Sequence, residues 1–382
     1  MARTLRSDKL LFWATLLLVG VSVVMVYSAS AVQSTDEGKA PYYLLMRQLA
    51  WVALGIGVMV VAMRVDYHVL RRQDLIWTLV GITGLALVAV FFFPAKHDTN
   101  RWITFGSFSV QPAELAKLTA VIFAAALLER RMHRVNDVGY ALAPIGLVTG
   151  VLAGLMVLQP DFGTAAVVVL VVTTIVFAAG LSYRYLLGTL LVLLPTAMAL
   201  IVTSSYRMRR LQAYLDPWAD PLKDGYQVVQ SLIAVGSGGV AGKGLMGGVQ
   251  KMYYIPEAHN DFIFAVIAEE FGLIGTTLIL LCFVTIAWRG IRASVLAPDR
   301  FGSLLAVGLT MMVALQALMN LSVVTGLVPN KGIPLPFVSA GGSSLVVSLA
   351  AMGILLNISQ QSSSAAAASP RMAEADALPA AT

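Results

Sequence analysis

The sequence predicts an all-α, polytopic integral membrane protein of about ten transmembrane helices, with a large extracytoplasmic loop between spans 7 and 8. Three observations carry this. Of 382 residues, 58% are hydrophobic and 12% charged, and the mean hydropathy is +0.81, whereas soluble domains carry about 25% charged residues. Apolar runs of spanning length recur along the whole chain. The connections between them alternate in basic content, as orientation in a membrane requires.

Arg3, Arg6 and Lys9 precede the first apolar run, Leu10 to Tyr27. Ala29-Ser30-Ala31 has the form of a signal-peptidase site, but the run exceeds the roughly 7–15 residues of a signal core. We read it as the first span, with a cleaved signal as the alternative. Further spans are expected at 43–63, 74–93, 111–128, 139–158, 161–180, 186–205, 262–287, 301–325 and 341–358. Pro160 and Asp161 divide what would otherwise be one very long helix.

Arg64, Arg71 and Arg72 fall in one connection, Arg130, Arg131 and Arg134 in another, Arg184 in a third, and Arg289, Arg292 and Arg300 in a fourth. With ten spans all four share a side with the basic N-terminus, which makes that side, and both termini, cytoplasmic. The opposite side receives 31–42, 94–110, 206–261 and 326–340. Residues 1–358 thus form one ten-span domain, and 206–261 is its large outer loop. The Ser/Ala-rich stretch 359–382 is expected to be a disordered cytoplasmic tail.

A formal net charge of +6 is too small to indicate nucleic acid. Cys282 is the only cysteine, which excludes an intrachain disulfide or thiolate metal site. The histidines are His68, His97, His133 and His259, and none forms an H-x-x-x-H pair.

Asp261 stands where the polar loop meets an apolar helix. Helix capping is one explanation; a general base at the mouth of a span is the other. Glu269 and Glu270 follow at a depth of about 12 Å, where a carboxylate in lipid costs about 2.5–3.5 kcal/mol. This helix must therefore face protein or a wet cavity. The outer loop carries Arg207, Arg209, Arg210, Lys223, Lys243 and Lys251, a basic excess suited to an anionic ligand. Its glycine cluster, Gly236 to Gly248, is either a flexible turn-rich segment or backbone that approaches a bulky anionic head group. Ser237 to Gly244 fails the phosphate-loop pattern.

Glu114 and Lys117, i,i+3 at the start of a span, are either a structural ion pair or part of a substrate cavity. Trp102, beside Arg101, suits an interfacial anchor or a site. Residues 329–344 hold three prolines and three glycines. Such irregular backbone at membrane depth is buried in protein or lines a cavity. Lys331 lies within it, and Gln316 and Asn320 on the preceding span are interhelical glue or cavity wall.

At Arg101-Trp102, QPAELAK (111–117), YQVVQSLIAVGSGGVAGKG (226–244), PEAHNDFIFAVIAEE (256–270) and KGIPLPFVSAGGSS (331–344) the sequence resembles the SEDS family of shape, elongation, division and sporulation proteins. MVYSAS (25–30), PEAH (256–259) and the Lys331 form of the proline loop resemble its division branch more than its elongation branch. Asn260 replaces the usual threonine and Ala340 the usual tyrosine, and neither change removes an ionisable group.

The resemblance implies a glycosyltransferase that polymerises lipid II outside the inner membrane at the division septum. It implies as partners a class B penicillin-binding protein and other division membrane proteins. It makes Asp261 the catalytic aspartate and aligns Glu114 and Lys117 with the family's Glu and Lys. One carboxylate suffices for this chemistry, because a diphosphate leaves without needing a proton. Arg207, Arg210, Lys243 and Lys251 are candidates to offset the diphosphate charge, with a divalent cation, Mg or Mn, as a possible addition. Arg101, Trp102, His259, Lys331 and Ser343 complete the candidate substrate-binding set. A lipid II flippase, built on a polar cavity of Glu114, Lys117, Glu269 and Gln316, and a non-catalytic division scaffold are the competing function classes.

Overall fold

The computed structural model describes residues 8–94, 100–106, 108–223 and 225–376. Asp8 opens α1 (Lys9–Asp36), accepting the N–H groups of Leu10 and Leu11. The helices α2 (Tyr43–Arg64) and α3 (Gln73–Ala89) follow. A short antiparallel hairpin comes next, β1 (Ile103–Phe105) with β2 (Phe108–Val110), in the register Ile103 to Val110. Then come α4 (Pro112–Arg131), α5 (Ala143–Leu158), α6 (Phe162–Ala178) and α7 (Tyr183–Val202). The last are α8 (Ser205–Leu215), α9 (Tyr226–Gly238), α10 (Ile263–Val295), α11 (Arg300–Val324) and α12 (Gly342–Asp376).

Among the described residues, seven helical segments are long and apolar enough to cross a membrane. They correspond to α1, α2, α3, α5, α10, α11 and the Gly342–Ser362 part of α12. The helices α4, α6 and α7 occupy the other expected spans. The chain is a multi-pass membrane protein.

The centre of the bundle is α4 and α11. Around them α3, α5, α6 and α12 pack on α4, and α6, α10 and α12 pack on α11. Alanines 116, 120 and 124–126 are buried on α4; such small side chains let helices approach closely where no hydrophobic force drives them together. At Gly308 of α11 an added Cβ would lie 2.6 Å from Val121 and 2.7 Å from Ile175, so three helices meet there. The pair α2 and α12 forms the other flank, with α1 packed on α2 and α10. By contrast α7 packs chiefly on α8, and its Leu187, Leu190, Leu191 and Leu194 are exposed, a face suited to lipid.

The expected outer loop contains two helices, α8 and α9, joined by turns. Its α9 packs along α10, and the backbone after α9 runs against a break in α10 at Gly272 (φ 60°, ψ −153°). The carbonyls freed there, of Glu269 and Glu270, accept Lys243 N at 3.0 Å and Gly244 N at 2.9 Å. Beyond the break, Leu273 N and Ile274 N donate to Gly239 O at 3.0 Å and Val240 O at 3.2 Å. Unpaired backbone groups at membrane depth are costly, and this exchange satisfies them. The glycine cluster permits it: a Cβ at Gly238 would lie 3.1 Å from Glu269 Cα, and one at Gly248 2.9 Å from Glu269 Oε2.

Helix α12 runs through Asp376. Alanines 365–368 lie in this stretch, and alanine is the best helix former. Residues 377–382 of the expected tail lie outside the described residues.

Candidate active site

The site is built where two irregular segments meet, the turn 257–262 before α10 and the proline loop 329–341 between α11 and α12. Sequence pattern made Asp261 a candidate helix cap. However, α10 is flanked by Phe262 with no side-chain cap. The backbone of Asp261 is held instead: Asn320 Nδ2 on α11 donates to the carbonyl of Asp261 and to that of Ile333, each at 2.7 Å. Ser339 Oγ donates to Asn260 O at 2.6 Å and accepts Leu335 N at 2.8 Å, while Ala340 N donates to His259 O at 3.0 Å. The two segments are thus joined by two direct bonds and by the Asn320 bridge, none of which uses the carboxylate of Asp261.

Below them, Gln316 Nε2 donates to Pro334 O at 2.9 Å, and Lys117 Nζ donates to Gln316 Oε1. Lys117 pairs with Glu114 at 2.8 Å, both buried. Glu114 and Lys117 therefore support the floor of the proline loop and do not line the cavity.

Asp261 opens into a cavity of about 1250 Å³. Of the expected site residues, Arg101, Trp102, Arg207, Arg210, His259, Asp261 and Lys331 line it. Arg101 is held by carbonyls, Nε to Gln159 O at 3.1 Å and Nη2 to Pro160 O at 2.5 Å. Arg207 lies 3.8 Å above the Phe162 ring, and Arg210 Nη1 donates to Asn330 O at 3.0 Å. Away from this cationic cluster the wall is apolar: Val157 of α5, Val169 and Leu170 of α6, and Leu190 and Leu194 of α7.

Ser343 stands just behind the wall, accepting Gln111 N at 3.1 Å, and its neighbour Ser344 lines the cavity. Lys243 and Lys251 are elsewhere, which corrects their expected role. Lys243 Nζ lies 2.7 Å from Glu269, and Lys251 Nζ 2.5 Å from Glu270 and 2.8 Å from Ser28 Oγ. Met246 N donates to Glu270, and Val249 N and Gln250 N to Glu269. The deep glutamates demanded cations, and these two lysines are those cations. Of the four residues named for a flippase, Glu114 and Gln316 both bond Lys117, whereas Glu269 pairs with Lys243.

Sequence reasoning missed several contributors. Asp161, seen only as a helix breaker, caps α6 through Thr164 N at 3.3 Å, accepts Gln111 Nε2 at 2.8 Å, and lines the cavity. Glu257, Tyr43 and Arg47 also line it; Arg47, a lone cation near the start of a span, was the available signal. Gly332 crowds the key carboxylate, for a Cβ there would lie 2.6 Å from Asp261 Oδ2.

Burial and the charge of Glu257 push the Asp261 carboxyl up to about 7, against the opposing pull of Arg101 and Arg210. Burial, with help from the Arg210 charge, lowers the Lys331 ammonium from its usual range. Among the described residues no group of three or more His, Cys, Asp or Glu converges as a metal cage.

Over residues 9–364 the chain matches the FtsW/RodA/SpoVE family of cell cycle proteins. The chain belongs to this family. It is 41% identical over 358 residues to the probable peptidoglycan glycosyltransferase FtsW of Geobacter metallireducens, covering 93% of this chain and 95% of the relative. It is 40% identical over 357 residues to the stage V sporulation protein E of Bacillus subtilis, covering 93% and 97%. Among solved structures it is similar to a chain of a peptidoglycan synthase complex that coordinates polymerization and crosslinking (31% identity, TM-score 0.77, covering 94% of this chain and 99% of that one). It is similar also to the rod shape determining protein RodA of Thermus thermophilus (29%, 0.68, 94% and 98%). Gln111 of the QPAELAK stretch, Glu257, His259, Asn260 and Asp261 of PEAHNDF, and Lys331, Gly332 and Pro334 of KGIPLPF line one cavity.

Proposed function

We propose that this family member is a peptidoglycan glycosyltransferase that polymerises lipid II during cell division, with Asp261 as general base. The observation that carries the reading is the setting of one carboxylate. Among the described residues nothing donates a hydrogen bond to the Asp261 side chain, and it opens into a cavity with a cationic mouth and an apolar wall.

The wall of α5, α6 and α7 suits a prenyl chain, and Arg207, Arg210 and Lys331 suit its diphosphate. In the reaction the acceptor 4-oxygen bonds to the anomeric carbon, and the bond from that carbon to the diphosphate oxygen breaks. The departing lipid diphosphate takes the electron pair; the Asp261 carboxylate takes the hydroxyl proton. A carboxyl titrating at about 7 is well matched to that task. Asp161 and Asp261 are cavity carboxylates that would hold a divalent cation, which would supply neutralisation of leaving-group charge.

The basic connections lie at the bundle end opposite the site. By the positive-inside rule the site then faces away from the cytoplasm and both termini are cytoplasmic; the division role proposed here puts the protein in the inner membrane at the septum. The solved synthase complex supports a class B penicillin-binding protein as partner, alongside other division membrane proteins. Residues 1–358 act as one ten-span unit.

The test is direct. Purified protein with its penicillin-binding partner and lipid II in detergent should give a ladder of glycan on a gel. Detergent abolishes sidedness, so a flippase or a scaffold yields no polymer there, and absence of polymer contradicts the proposal.

A further inference from the structure

We infer that Gln227 and Asn330 form a positioning pair, which sets the cations Arg210 and Lys331 for the leaving diphosphate. This inference rests on the glycosyl-transfer reading above and adds what holds its anion-binding groups in place.

The segment 324–330, which leads from the end of α11 into the proline loop, is gripped by two helices. From α9, Ser231 Oγ donates to Val324 O at 2.7 Å, and Gln227 Oε1 accepts Asn330 Nδ2 at 2.5 Å. Between these bonds Gly326, at φ 69°, lies against the same helix: a Cβ there would meet Leu232 at 3.6 Å and Val228 at 3.7 Å. From α8, the Tyr214 hydroxyl donates to Leu327 O at 3.1 Å, and Arg210 Nη1 donates to Asn330 O at 3.0 Å. Asn330 is the residue that both grips share. Its side chain is held by α9, and its carbonyl holds Arg210.

The grip decides where α8 sits. That helix bridges from Phe162, at the start of α6, to Leu327, just past α11. Arg207, Arg210, Leu211 and Tyr214 share one of its faces by helical spacing, and the first three line the cavity. Arg209 and Gln212, on the other face, are exposed. The seat of the cation-bearing face is the pair of carbonyls at 327 and 330. Lys331 follows Asn330 directly and lines the cavity, where the charge of Arg210 acts on it. Two cations held together in this way are an arrangement that a dianion relieves. A fixed acceptor also keeps the long Arg210 side chain in one geometry before a ligand arrives, which lowers the ordering cost of binding. Gln227 lies outside the cavity wall, in the first turn of α9, which packs along α10. It reaches a bound diphosphate only through Asn330.

The test reads phosphate binding directly, with farnesyl diphosphate and farnesyl monophosphate as probes. Equilibrium binding of each is measured on the full-length protein with its penicillin-binding partner. The parent should hold the diphosphate more tightly, and Arg210→Gln/Lys331→Gln should remove that preference. Gln227→Ala and Asn330→Ala should each weaken diphosphate binding about three- to tenfold, the scale of one lost hydrogen bond. Monophosphate binding should change by less, so the preference narrows, whereas damage to the apolar wall would weaken both probes equally. Gln227→Ala added to Arg210→Gln/Lys331→Gln should change nothing further, because the pair acts through those cations. A preference that stays at the parental value in Gln227→Ala and Asn330→Ala, whether or not both probes weaken, overturns the positioning role and leaves the diphosphate site standing. A further loss on top of Arg210→Gln/Lys331→Gln does the same. A parent with no preference for the diphosphate overturns the site itself, and the inference with it.

Discussion

Asn320 fixes Asp261 to the proline loop through a single amide nitrogen, which donates to the carbonyl of Asp261 and to the carbonyl of Ile333 at 2.7 Å each. Asn320 is buried, and its Oδ1 has no partner among the described residues. The residue is placed for its two donated bonds. Asn320→Ala should lower kcat by about 10–100-fold with little change in donor KM, because small misplacement of a reacting group has effects of that order. Steady-state kinetics on a variant with unchanged gel-filtration behaviour checks this; an unchanged kcat would make Asn320 mere interhelical packing.

The pH profile follows from the same aspartate. As a base Asp261 works deprotonated, so kcat/KM should rise with pH through a midpoint near 7. Glu257 holds that carboxyl up and Arg101 pulls it down. Hence Glu257→Gln should move the midpoint to lower pH and Arg101→Met to higher pH. Shifts of the opposite sign would contradict the electrostatics described.

A stability consequence has its own sign. The folded carboxyl titrates above its ordinary value of 3.8, so its contribution to stability is full below that value and is lost as pH rises through about 7. Asp261→Asn should therefore unfold at a higher temperature than the parent at pH 8. The difference should shrink as the pH falls. Thermal melts in detergent at several pH values read this out.

Gly332 leaves room that no other residue leaves. A methyl there would sit 2.6 Å from Asp261 Oδ2, so Gly332→Ala must displace the carboxylate or the loop. Activity should fall at least tenfold by the same positional argument, with expression and partner binding retained.

The buried pairs predict stability effects away from chemistry. Lys251→Ala leaves Glu270 beside Ser28 without its cation. Breaking one partner of a buried pair costs about 3–5 kcal/mol. The variant should lose detergent stability, and Lys251→Ala/Glu270→Ala should recover part of it, whereas a substrate-binding role for Lys251 would give a raised KM in a stable protein.

What the sequence made legible was what periodicity and charge write locally. The apolar runs predicted the spans, and the proline loop was recognisable because no helix accommodates Pro334 and Pro336. Asp261, Arg207, Arg210 and Lys331 were nominated by residue type at the edge of apolar segments, and they converge. Partner choice was not legible. Lys243 and Lys251 looked like an anion site because their carboxylates, Glu269 and Glu270, are 26 and 19 residues away. The glycines after α9 read as a flexible loop or as backbone for an anionic head group because the break they dock into, at Gly272, lies in another element. Asp161 read as punctuation because its cavity exists only once α6 meets the proline loop.

The most direct measurement is glycan polymerisation by Asp261→Asn in complex with the penicillin-binding partner. The substitution keeps the shape and removes the basic oxygen. The account predicts no polymer from a variant that still folds, still binds its partner and still binds lipid II. Polymer at the parental rate from that variant would contradict it.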